Sequence, residues 1–356
     1  MKYIIIGSIV FLLLYLFVAP VPMNYDIFFE PVWSRDITRA DASAAGENIA
    51  ESTAENIEAF ILGNRFGYFT PEGDIIYSGQ TENRIAASKN SWAVYPQNAS
   101  GTVIYNSDGS PKMTIEPAGY VHIDYDRTYL FLPGGSGVSQ YSETGDVIWT
   151  REHAAPITAF NSSPEGTIIG YADGKLSSFR ADGSEIFSFY PGGSDYQVIL
   201  GAAISEDGTL AACVSGIDRQ RFLLIKITGR QYKIIFHAYL DGNLRRQTFV
   251  DFEQNGRFVF FEYENGIGIV DCKQNSLSKI PMSGQLIAAG EFPGDNVFVI
   301  LVKEGETFKL SAVERSNHLV ASARFSARNA FLIQHEKIIY LGTDDRISRI
   351  NIKGSQ

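Results

Sequence analysis

From about residue 58 to the C-terminus the chain runs in short apolar or alternating stretches, broken at close intervals by Gly, Asn and Asp. Runs of roughly four to eight residues with such punctuation predict strands joined by tight hairpins. Upstream the pattern changes twice. Residues 34–57, SRDITRADASAAGENIAESTAENI, are rich in Ala, Glu, Ser and Asn and read as a linker. Residues 3–19, YIIIGSIVFLLLYLFVA, are uncharged and mostly apolar. That is close to the roughly 17 residues a spanning helix needs.

The strand region repeats. One element, an apolar strand, a turn and a second apolar strand, recurs as YFTPEGDIIY, IYNSDGSPKMTI, QYSETGDVIW, SFRADGSEIFSF, IKITGRQYKIIF, VDCKQNSLSKI, AVERSNHLVA and INIKGSQ. Its turn residues are Gly73, Gly109, Gly145, Gly183, Gly229, Asn275, Asn317 and Gly354, spaced 36 to 46 residues apart. Gly and Asn share these sites because both tolerate the positive φ that a tight hairpin or its bulge demands. A second, inner hairpin alternates with the first and begins near residues 84, 119, 156, 198, 247, 286 and 329. Together the two supply four strands per unit of about 40 residues, the blade of a β-propeller.

The expected fold is therefore all-β, a propeller of four-stranded antiparallel blades over residues 58–356. Seven inner hairpins favour seven blades; eight copies of the outer element leave eight as the alternative. An N-terminal strand such as DIIYSG is expected to complete the last blade and join the two ends of the ring. Residues 1–21 are read as an uncleaved signal anchor and residues 22–57 as a juxtamembrane linker. Lys2 before the apolar run and Asp26 and Glu30 after it place the N-terminus in the cytoplasm. The propeller is then extracytoplasmic, and periplasmic in a diderm bacterium. Tyr25, Phe28, Phe29 and Trp33 suit either the membrane interface or a strap packed on the globular domain.

Charge narrows the partners. The net charge is −10, and residues 20–200 alone carry 23 acidic against 10 basic side chains, which argues against nucleic-acid binding. One stretch runs the other way. Arg219, Arg221, Lys226, Arg230, Lys233, Arg245 and Arg246 lie within residues 218–246, 29 residues that hold only Asp218 and Asp241 as acids. The group is either a solvated edge guarded by charge or a docking surface for an acidic segment or for membrane headgroups. The partner-binding candidates drawn from it are Arg219, Arg221, Arg230, Lys233, Arg245 and Arg246. The two cysteines, Cys213 and Cys272, both sit in apolar strand patterns and read as free buried thiols.

Tyr141, Gly145 and Trp149 in VSQYSETGDVIW resemble the quinoprotein-like repeat, in which an aromatic strand runs into a turn Gly followed four residues later by Trp. Phe179, Gly183 and Phe187 repeat the spacing, and SPEGTIIGYADGKLSSF is similar to WD40-like repeats. The ring four residues after the turn fills the wedge between blades, a packing role. The resemblance extends to the propeller lipoproteins of outer-membrane protein assembly, which implies an envelope role, although no lipidation Cys follows the apolar run. Quinoprotein chemistry would add a Ca²⁺-bound cofactor and often paired cysteines, and the chain has no Cys-Cys pair.

No His or Cys spacing points to a metal, and PGGSG and PGGSD lack the features of a phosphate loop. Asp124 and Asp126 in HIDYDRT read as a strand-end pair. The expected function is a non-catalytic protein-interaction scaffold, anchored in the membrane, without cofactor and with protein partners. A quinoprotein-type oxidoreductase, a propeller hydrolase and an extracytoplasmic ligand sensor are the alternatives.

Overall fold

The computed structural model describes residues 27–38, 57–97, 100–292, 297–315, 317–335 and 337–354. They form eight antiparallel sheets arranged as the blades of a propeller. Blade 1 contains Glu58–Leu62, Arg65–Phe69 and Ile75–Gln80. Blades 2 to 7 span residues 84–115, 120–152, 157–189, 199–239, 250–281 and 285–326, four strands each. Blade 8 takes Ala330–His335, Ile338–Thr343 and Arg346–Gly354 from the C-terminal end and Ile27–Asp36 from the N-terminal end.

The ring thus has eight blades, not the seven expected. All seven inner hairpins lie where the sequence placed them. The eighth sheet escaped the count because its three described strands occupy the second, third and fourth positions of a blade. Its turn at Gly73 matches the outer turns of the other blades, and no described residue fills its innermost position. No helix occurs among the described residues, and none is long and apolar enough to cross a membrane. The spanning helix expected over residues 1–21 lies outside the described residues.

Ring closure also differs from expectation. DIIYSG belongs to the outer strand of blade 1, and the closing strand is Ile27–Asp36, within the segment read as linker. It pairs antiparallel with Arg346–Gly354, from Ile27 opposite Gly354 to Asp36 opposite Arg346, with a register shift between Pro31 and Trp33. Pro31 is tolerated there because an outermost strand leaves one edge unpaired. Gly354 accordingly sits in a strand. The other seven predicted turn residues all adopt positive φ, from +52° at Asn275 to +97° at Gly73.

Blades adhere through apolar clusters that bridge neighbours. One joins Val198, Val214 and Phe222 of blade 5 to Val259, Phe261 and Val270 of blade 6. Another joins Phe292 and Phe308 of blade 7 to Ile339 and Ile350 of blade 8. Strands packed by blades on both faces, such as Gly166–Tyr171 and Phe258–Tyr263, are buried along their whole length. Their sequences are therefore mostly apolar and do not alternate, with Thr167 and Glu262 the buried polar exceptions.

The wedge residues behave as the repeat implies. Trp149 stacks on Phe179 at 6.2 Å, donates from Nε1 to Gln140 Oε1 at 2.9 Å, and lies over the turn glycine of the next blade. A Cβ at Gly183 would come within 2.4 Å of it. Trp33 covers Gly73 in the same manner while packing between Phe69 and Tyr340, whereas a Cβ at Gly145 would meet the Thr114 carbonyl at 3.1 Å before Met113. Of the aromatic residues expected in this segment, Phe29 and Trp33 thus pack on the ring, Phe28 is exposed, and Tyr25 lies outside the described residues.

Candidate functional site

The basic run does not form one surface. Its first members sit where the second and third strands of blade 5 meet. Arg219 lies in that connection, and Arg221 opens the strand Arg221–Thr228 and pairs in register with Tyr239. Both guanidinium groups stand over the Tyr239 ring, at 5.1 and 5.8 Å. Arg230 and Lys233 lie seven or more residues further on, around the outer turn at Gly229. At about 3.3 Å per residue the turn that holds Arg230 is roughly 23 Å away, and Lys233, opposite Lys226, roughly 17 Å, toward the opposite end of the blade. The hairpin separates charges that are close in sequence.

Arg245 and Arg246 belong to the connection into blade 6. Leu244 N donates to Gln220 Oε1 at 3.1 Å, which brings this connection beside Arg219. Arg246 is committed to structure: it grips the buried Glu262 through both nitrogens, at 2.8 and 2.5 Å. This pairing raises the Arg246 pKa. Glu262 Oε1 also accepts from Leu286 N at 3.1 Å, tying blade 6 to blade 7. Of the six candidates, Arg219, Arg221 and Arg245 share one end of the blade, Arg246 is consumed by Glu262, and Arg230 and Lys233 lie apart.

Sequence reasoning passed over the aromatic half of this surface. The connection from blade 4 to blade 5, YPGGSDY, rests on Arg221: the guanidinium donates to Pro191 O, and a Cβ on Gly193 would lie 3.3 Å from that group and 3.4 Å from the Tyr239 hydroxyl. Tyr196 is held through its main chain, its carbonyl accepting from Ile217 N at 3.1 Å, while its side chain is 68% exposed. Tyr190 and Tyr239 are also exposed. Positive φ at Gly192 and Gly193 lets the loop turn back over the blade. The available signal was two tyrosines flanking a Gly-Gly turn, set aside because the turn cradles no phosphate.

Neighbouring acids are already engaged. Ser194 donates to Asp218, as do main-chain N–H groups of Asp195 and Tyr196, and the serine hydroxyl leads in holding the Asp218 carboxyl down at about 2. Glu264 accepts from Asn243 N, and Asp241 pairs with Lys279 at 2.6 Å. Arg219 and Arg245 form no ion pair with a described residue. The surface therefore presents three exposed tyrosines and two uncommitted arginines. Tyr and Arg are the side chains that carry disproportionate binding energy in protein interfaces.

Other sequence candidates resolve simply. Asp124 ends a strand and accepts from Ser162 Oγ at 2.6 Å, while Asp126 lies in the following turn and accepts from Asn90. His153 meets Asp173 at 2.7 Å, and Tyr190 donates to the same carboxylate at 3.3 Å. Cys213 and Cys272 are free thiols, the first fully buried. Among the described residues, no three His, Cys, Asp or Glu side chains gather as a metal site would require.

The ring, its closing strand and its exposed surface can be set beside known proteins. The sequence profile of a beta-propeller protein family matches residues 1–356. The chain belongs to that family. An uncharacterised protein of Treponema pallidum (strain Nichols) is 40% identical over 355 residues, covering 99% of this chain and 94% of the relative. Among solved structures, BamB from Moraxella catarrhalis aligns with a TM-score of 0.62 at 10% identity, over 91% of this propeller and all of that chain. The computationally designed Ika8 protein aligns at 0.59 and 12% identity, over 84% and 96% of the two chains. At such identities these two likenesses establish the fold alone.

Proposed function

We propose that this propeller is a non-catalytic protein-interaction scaffold of the cell envelope, positioned outside the cytoplasm. It engages an acidic partner segment through Arg219, Arg245 and the tyrosines around them. The observation that carries this reading is the exposure of Tyr196 and Tyr239 near Arg219 and Arg245, which form no ion pair with a described residue, on a strand end and on connections pinned by hydrogen bonds, with exposed Tyr190 in the same connection as Tyr196. Pinned loops lose little conformational freedom on binding, and tyrosine offers large contact area at low entropy cost. An acidic partner follows from the sign of the uncommitted charge. The fold likeness to BamB and the resemblance of the repeats to envelope propellers support the setting, and the apolar run at residues 3–19 suits an exported chain.

The test is crosslinking of the full-length protein in its native cells followed by affinity recovery. Wild-type protein and Arg245→Ala should recover the same partner, the single variant in reduced amount. The double variant R219E/R245E should lose it. Equal recovery by the double variant would remove this surface from the account.

A further inference from the structure

The central channel has two chemically distinct ends. A cavity of about 610 Å³ lies against the inner strands of blades 3 to 6, walled by Tyr120, His122, Phe131, Phe160 and Phe249. A second, of about 520 Å³, shares Phe249 with it and continues past Asp251, Glu253 and Glu291. A third, of about 230 Å³, shares Asn161 with the first and Asp251 and Glu253 with the second, and adds Asp124 and Glu206. Shared lining residues make the three neighbours along the inner strands, aromatic in the first cavity and acidic in the third. No described Lys or Arg lines any of them.

Five carboxylates therefore line these cavities; Arg315 reaches Glu291 at 3.2 Å, and Arg257 and Arg315 both act on Glu253, while Asp124, Glu206 and Asp251 form no ion pair with a described residue. Channel water reaches Asp251, but the blades surround it, and this enclosure with Asp124 beside it pushes its carboxyl up to about 7. Burial, with Glu291 adjacent, brings Glu253 to about 7 as well. At the aromatic end, the His122 imidazole packs edge-on to Phe160 at 5.5 Å and makes no hydrogen bond to a described residue. Burial lowers its pKa, so it adds no cation. Thr248 in the same wall is only 8% exposed, and its hydroxyl also has no partner among the described residues.

We infer that the channel receives an extended, basic segment of a partner protein, its Lys or Arg side chains directed to Asp124, Glu206, Asp251 and Glu253 and a large apolar side chain seated among Tyr120, Phe131, Phe160 and Phe249. Charge complementarity selects a cation, since an anionic segment would meet unopposed carboxylates. The inner strand Ile157–Ser163 has seven residues, so at about 3.3 Å each a segment of roughly six residues spans the channel. Unpartnered polar groups in the aromatic wall, at Thr248 and His122, suit a ligand with its own main-chain donors and acceptors. This inference rests on the scaffold reading but places a second contact at a separate site.

The test uses purified full-length protein and fluorescent hexapeptides, one alternating lysine with phenylalanine and one alternating glutamate with phenylalanine. Saturable binding of the lysine peptide is expected, weakening as salt rises, with no binding of the glutamate peptide. The near-isosteric pair D251N/E253Q should weaken binding at least tenfold, and Tyr120→Ser, at an exposed ring, should weaken it independently. R219E/R245E should bind like wild type, which separates this site from the tyrosine–arginine surface. No saturable binding, equal binding of the two peptides, or wild-type affinity in D251N/E253Q would each overturn the proposal, whatever the crosslinking experiment shows.

Discussion

Replacing Arg246 by Ala separates structural from partner-binding arginines. Glu262 has only 3% of its side chain exposed, and its carboxylate accepts two hydrogen bonds from Arg246 and a third from Leu286 N. Breaking a buried pair from one side costs about 3–5 kcal/mol because the remaining charge is left uncompensated. Arg246 itself is 41% exposed and Glu262 keeps the Leu286 N–H, so solvent screening reduces this to about 2–3 kcal/mol. Urea unfolding followed by tryptophan fluorescence reads the difference; with a slope of about 3 kcal/mol per molar, the midpoint falls by about 1 M. Arg245→Ala, one residue away on an exposed side chain, should stay within about 0.5 kcal/mol of wild type. The double variant R246A/E262Q should recover part of the loss, since the stranded charge is gone. Equal midpoints for the two single variants, or no recovery in the double, would refute the division of roles among these arginines.

Other expectations concern the ring and its titrating groups. Trp33→Ala removes the ring held between Phe69 and Tyr340 and should lower stability by about 3 kcal/mol, measured by the same unfolding assay. Gly183→Ala combines a φ of +81° with a Cβ 2.4 Å from Trp149 and should cost about 2 kcal/mol or more. Burial pushes the Cys213 and Cys272 thiols up to about 12, so both should resist maleimide labelling at pH 7.5 in the native protein and react after denaturation. Glu253 titrates near 7, raised by burial and Glu291 against the pull of Arg257 and Arg315. The stability of its neutral form is present below the ordinary Glu value and is lost as pH rises from about 4.5 to about 7. Glu253→Gln should therefore flatten the pH dependence of the midpoint in that window, an effect on the order of 2 kcal/mol after allowing for its partial exposure.

Local chemistry in the sequence was enough to locate nearly every hairpin. Seven turn residues could be named because tight turns impose a conformation that only Gly and Asn accept readily. Ring closure was not legible in the same way. Ile27–Asp36 carries Pro31 and several charges, and it is a strand because Arg346–Gly354 pairs with it across 300 residues of chain. Blade 1 was missed for a related reason, since its described strands lack the inner hairpin that served as the counting unit. The basic surface was misjudged through linear proximity: an eight-residue strand such as Arg221–Thr228 carries charges at its two ends far apart. It also gave no indication that Glu262 would claim Arg246, or that the connection carrying Tyr190 and Tyr196 would fold over Arg221 beside Tyr239.

The most direct measurement of the scaffold account is quantitative affinity recovery after crosslinking in native cells, comparing wild type, R219E/R245E and D251N/E253Q at matched protein levels. The account predicts a defined partner recovered by wild type, lost with the tyrosine–arginine surface variant, and reduced with the channel variant. Undiminished recovery by R219E/R245E, or recovery of the bait alone from wild type, would contradict it.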